Sequence, residues 1–159
     1  MTKRSFPVAG LVAMSLALLP AAGFSHCQVP CGIYDDAARI HRMFEDVTTI
    51  EKSMQLIGEL SGKDDAQSAN QLTRWIVTKE AHASNIITVV AEYFLTQKVK
   101  PVAAGDEGYD AYVQKLAVHH QVMRAAMQAK QNVDAGYVVA LREAIVALAA
   151  HYDVDLHEH

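Results

Sequence analysis

Residues 35–62 read DDAARIHRMFEDVTTIEKSMQLIGELSG, and their rhythm decides the fold. Ile40, Phe44, Val47, Ile50, Met54 and Ile57 recur at steps of three and four, which lines one face of an α-helix. Asp35 or Asp36 can cap its start, where the positive end of the helix dipole favours acidic side chains. Ser61-Gly62 supplies the stop. A helix with one apolar stripe must bury that stripe against a partner.

Downstream the same rhythm returns three times. A second helix is predicted over about residues 66–96, with Leu72, Trp75, Ile76, Ile86, Val90, Tyr93 and Phe94 on its apolar side. Pro101 and Gly105 mark the loop after it. A third helix starts near Asp106 and carries Tyr109, Val113, Leu116, Met123, Ala126 and Met127. Asn132 or Asp134 opens a fourth, with Val138, Leu141, Ile145, Leu148 and Tyr152 in step. No stretch sustains a two-residue alternation. Short connections make neighbours antiparallel, so the expected fold class is all-α, an up-and-down antiparallel four-helix bundle over residues 35–152. Residues 153–159 read as a solvated, flexible tail.

Upstream, residues 1–25 read as a secretory signal peptide. Lys3 and Arg4 give a positive start, residues 6–19 are apolar, and Ala21, Ala22, Gly23 and Ser25 are small. The apolar run is short for a membrane span. Cleavage after Ser25 would place the protein in the periplasm or the medium, with no membrane segment left. It would remove two cations and no acid, taking the formal charge from −4 to −6. Such a balance leaves no nucleic-acid footprint, and no Gly-rich phosphate loop occurs.

Between leader and bundle lies His26-Cys27-Gln28-Val29-Pro30-Cys31-Gly32-Ile33-Tyr34, with the chain's only two cysteines. If His26 becomes the first residue, its amine, the Cys27 amide nitrogen and the Cys27 thiolate follow one another along the backbone. Binding one metal closes two fused five-membered rings and enforces a plane. The turn at Val29-Pro30 can return the Cys31 thiolate to the fourth corner, and the His26 imidazole can reach an axial position. A tetragonal nitrogen–sulfur set suits Ni(II) or Cu(II) better than Zn(II). Two cysteines in an exported chain more often form a disulfide. Here the cleavage register and the whole pattern favour metal.

These nine residues resemble the nickel superoxide dismutase family, whose metal hook runs His-Cys-x-x-Pro-Cys-Gly-x-Tyr. The resemblance implies one nickel ion per subunit, held by the amine and imidazole of His26, the amide and thiolate of Cys27, and the thiolate of Cys31. It implies that Tyr34 orders water or substrate at the open face and that the Val29-Pro30 bond is cis. It further implies a four-helix bundle assembled as a homohexamer, converting superoxide to oxygen and hydrogen peroxide by Ni(II)/Ni(III) cycling. Two departures stand out. Gln28 replaces a commonly acidic residue, and a loose alignment puts His41 and His82 where a glutamate and an arginine often steady the axial imidazole. A metal-bound imidazole needs such an outer partner.

Other chemistry is weaker. His119, Met123 and Met127 could mimic a copper face, but the row overlaps the core stripe. His157 and His159 could catch metal loosely. No Glu-x-x-His pair supports a di-metal bundle, and no Cys-x-x-Cys-His supports haem. The expectation is an exported nickel superoxide dismutase. The alternatives are a non-catalytic exported nickel- or copper-binding protein and a helical protein with a hook disulfide.

Overall fold

The computed structural model describes residues 35–152 and 154–156. Asp35 is extended, and its carboxylate accepts the Ala37 and Ala38 N–H groups at 2.8 and 3.4 Å, which starts α1 (Asp36–Leu60). Gly62, at φ 104°, turns the chain just beyond it. Asp65 caps α2 (Ala66–Thr88) through the Ser68 N–H, and Asp134 caps α4 (Ala135–Ala149) through the Gly136 N–H. The third helix, α3, spans Tyr109–Gln131.

Cross-links fix the directions. Asp36 near the start of α1 meets Tyr93 and Lys98 late in the second helical rod, and Asp46 meets His82 further in, so the two run antiparallel. Lys79 of α2 reaches the end of α3, and Arg142 of α4 bonds Glu51 of α1, closing the ring. The expected all-α four-helix bundle is the fold observed. Its core joins Ile40, Met43, Val47 and Ile50 of α1 to Ile86, Phe94, Val122, Leu141, Ile145 and Leu148. Burial of this kind contributes about 1.5–3 kcal/mol per large apolar side chain.

The structure corrects several sequence expectations. The second rod is α-helical only to Thr88; residues Val89–Lys98 form a π-helix, closed by the Val99 N–H on Phe94 O at 2.9 Å. The third helix begins at Tyr109 and not near Asp106, because a turn ends at Gly108 with φ 87°. Met43 takes the central place, and Phe44 is only half-buried. Ile76 and Val113, assigned to apolar faces, are 41 % and 43 % exposed. On α3 the buried line is His119, Val122, Ala126 and Ala129, with Met123 and Met127 on its flank. Val154 and Leu156 pack half-buried against the core.

Candidate metal centre and its surroundings

The proposed ligands His26, Cys27 and Cys31, together with Tyr34 and the Val29-Pro30 bond, lie outside the described residues. Tyr34 leads directly into Asp35, so the beginning of α1 is the part of the bundle next to them along the chain. That end is unusually well tied. The Tyr93 hydroxyl donates to Asp36 Oδ1 at 2.6 Å, and Lys98 Nζ stands 3.0 Å from Asp36 Oδ2. The Arg39 guanidinium lies 5.4 Å from the Tyr93 ring centre. Burial, followed by the bond to Asp36, pushes the Tyr93 phenol well above its ordinary pKa, so it stays a donor.

Tyr93 and Lys98 both belong to the π-helix. Two of its consecutive residues serve different partners. Tyr93 faces Asp36, while Phe94 enters the core against Tyr152 at 4.7 Å and His119 at 5.8 Å between ring centres. His119 is fully buried. Its Nδ1 donates to the Lys115 carbonyl at 2.7 Å, because a carbonyl can only accept. Nε2 is then the acceptor, and the Tyr152 hydroxyl donates to it at 2.8 Å. Burial, the largest cause, holds the His119 pKa below its ordinary value, which agrees with a neutral ring.

His41 and His82 are not brought together. His82 Nδ1 donates to the buried Asp46 carboxylate at 2.6 Å, and Asn85 Nδ2 donates to its other oxygen at 2.7 Å. Asp46, Ala81, His82 and Asn85 line a small cavity of about 200 Å³ there. His41 instead lines a groove between α1 and α4, with Phe44, Arg142 and Leu156. Residues 41 and 46 point about 140° apart around a helix of 3.6 residues per turn. The two histidines therefore occupy different flanks of α1.

Sequence reasoning missed Asp36, Asp46 and Lys98 as partners. Asp46 did leave a signal, since a carboxylate beside the apolar stripe of α1 needs a donor. Nothing in the sequence marks the π-helix. His120 and His151 are exposed. Among the described residues, no group of three or more His, Cys, Asp or Glu side chains could hold a metal, and no helix is long and apolar enough to cross a membrane. The family model for nickel-containing superoxide dismutase matches residues 21–155. No curated protein and no solved structure matches.

Proposed function

The chain belongs to the nickel-containing superoxide dismutase family, and from that premise we propose that residues 26–34 carry its nickel and its catalysis. The protein is an oxidoreductase, nickel is its cofactor and superoxide its substrate. The observation that carries the proposal is the donor order of His26, Cys27 and Cys31 within the matched span 21–155. The donors fit the ion. An amine, a deprotonated amide and two thiolates are strong planar-field ligands, whereas zinc prefers a tetrahedron. Bound there, nickel supplies a one-electron Ni(II)/Ni(III) couple that these donors bring within reach of superoxide.

The remaining work falls to protein groups. The His26 amine exists only after cleavage behind Ser25, so processing must precede metal binding. Both cysteines must be deprotonated, so loading weakens in acid. Tyr34 orders water or substrate beside the open face, since a phenol can donate and accept. Of the two candidate outer partners, we assign His82 to steady the His26 imidazole. Asp46 supports that choice: the carboxylate fixes the His82 proton on Nδ1 and leaves Nε2 to accept from a neighbouring N–H. Export to the periplasm or medium, one ion per subunit and a homohexamer complete the proposal.

The decisive variant adds one alanine before His26 of the processed chain. The amine then moves, the fused rings cannot form, and nickel stoichiometry and dismutase activity both fall to background. Full nickel content with full activity in that variant would overturn the ligand assignment.

A further inference from the structure

A row of aromatic rings leads from the first turn of α1 into the bundle. Tyr93, whose hydroxyl donates to Asp36 at 2.6 Å, meets Phe94 edge-on at 5.0 Å between ring centres. Phe94 lies 4.7 Å from Tyr152, and Tyr152 lies 5.7 Å from His119. Both tyrosine hydroxyls in the row already point their protons at acceptors, Asp36 Oδ1 for Tyr93 and His119 Nε2 for Tyr152. Imidazole is the stronger base of these two acceptor types. The other His119 nitrogen is engaged by the Lys115 carbonyl, so an arriving proton has one place to go. Lys115 Nζ stands 4.4 Å from the centre of the Tyr152 ring. A cation there opposes positive charge on the ring, so an electron leaves Tyr152 readily only when the phenolic proton leaves with it.

From this arrangement we infer that Tyr152 and His119 form a proton-coupled redox pair, a resting place for an oxidising equivalent that enters at Tyr93. The oxidant is a one-electron species derived from peroxide, which superoxide dismutation releases. It takes one electron from Tyr152 through the Tyr93 and Phe94 rings, and the phenolic O–H bond breaks. The proton crosses the 2.8 Å bond and forms an N–H bond at His119 Nε2, leaving a neutral tyrosyl radical beside an imidazolium. That imidazolium keeps both partners. Its Nδ1–H still donates to Lys115 O, and its Nε2–H now donates to the phenoxyl oxygen. His119 is fully buried, which disfavours the charge, so the proton returns once an electron does. Superoxide, the family's substrate, supplies that electron and leaves as oxygen, while the His119 proton restores the Tyr152 O–H. The pair consists of bundle residues alone and does not depend on the ligand assignment at residues 26–34.

The test is rapid-freeze electron paramagnetic resonance of the processed full chain after flash generation of tris(bipyridine)ruthenium(III) as one-electron oxidant, with a cobalt(III) ammine as sacrificial acceptor. Nickel is withheld, so no Ni(III) signal overlaps. We expect a tyrosyl radical that forms more slowly in heavy water, because a proton moves with the electron, and that decays faster when superoxide is added. Tyr152→Phe keeps the ring in place and should lower the signal several-fold. His119→Gln keeps a hydrogen-bond partner but removes the base, and should lower it as well. Tyr137→Phe, at another tyrosine packed on the core, should leave it unchanged. Circular dichroism checks the fold of each variant, and Tyr152→Phe, which loses one oxygen only, decides if His119→Gln does not fold. A signal of parent size in folded Tyr152→Phe or His119→Gln, or a lifetime that superoxide leaves unchanged, overturns the inference. Failure of the hook assignment would show separately, in the nickel content of the loaded enzyme.

Discussion

The two ends of the bundle bury different kinds of tie. Where α1 begins, the ties run from side chain to side chain: Tyr93 and Lys98 converge on Asp36, and Tyr152 donates to His119. At the far end the buried tie is one ammonium, flanked by the more exposed Lys130, whose Nζ donates to Ser84 Oγ at 3.0 Å and stands 3.6 Å from Glu80. Lys79 is 4 % exposed, and its Nζ donates to the carbonyls of Ala129 at 3.2 Å, Lys130, and Asn132 at 3.1 Å. Those carbonyls belong to the last turn of α3 and its cap, where the helix leaves acceptors without intrahelical donors and carries partial negative charge. A buried cation there satisfies acceptors and dipole together. The difference teaches where position matters and where only closure does. The end joined to residues 26–34 is set by directional bonds between particular groups, and the far end by charge against backbone.

The comparison breaks most visibly at Lys79. Lys79→Met keeps the stem's packing but strands buried carbonyls, each costing about 1–3 kcal/mol when left without a donor. A loss of roughly 3 kcal/mol in urea unfolding is expected on that basis. Dismutase activity per bound nickel should not move. A stable variant would mean that water replaces the ammonium without penalty.

Tyr93→Phe comes next and reverses the pattern. It deletes one hydrogen bond to a carboxylate, about 1.5 kcal/mol of stability. It also frees the first turn of α1, so activity per nickel should fall several-fold with nickel content unchanged. Equal activity in the parent and Tyr93→Phe would show that the hook end needs closure only, like the far end.

How much of this the sequence disclosed follows from the range of each interaction. The stripe of α1, the Asp35 and Asp134 caps and the turns at Gly62 and Gly105 are local, and they stand where the spacing predicts. The hook pattern is equally local, nine adjacent residues that lie within the span 21–155 matched by the family. On α3 the row from His119 to Met123 lies at the core as the spacing predicts, whereas Val113 is 43 % exposed. What the spacing does not supply is the pair of partners that make a buried histidine tolerable, Lys115 O and Tyr152. Lys79 was legible only as a charge, because its partners lie about fifty residues further on. The π-helix was invisible, since a five-residue hydrogen-bond step leaves no mark on an apolar pattern read at 3.6.

The smallest effect expected concerns His119, and its sign can be worked out. Burial, the largest cause, holds its folded pKa below the ordinary 6.5; the bond to the Lys115 carbonyl pulls the other way, and Lys115 and His151 add smaller lowering effects. Between the folded value and 6.5 the unfolded chain therefore binds more protons than the native one. Stability rises with pH across that window, by at most about 1.4 kcal/mol per pH unit for one proton. The contribution is fully present above 6.5 and is lost as pH falls toward the folded value. Protonation also removes the Nε2 lone pair that accepts the Tyr152 hydroxyl. His119→Gln retains an amide able to meet Lys115 O or Tyr152 but cannot titrate. Urea midpoints measured from pH 7.5 to 5 should fall more steeply for the parent than for His119→Gln. Parallel profiles would mean that other groups set the acid sensitivity of the bundle, and that the buried ring serves packing alone.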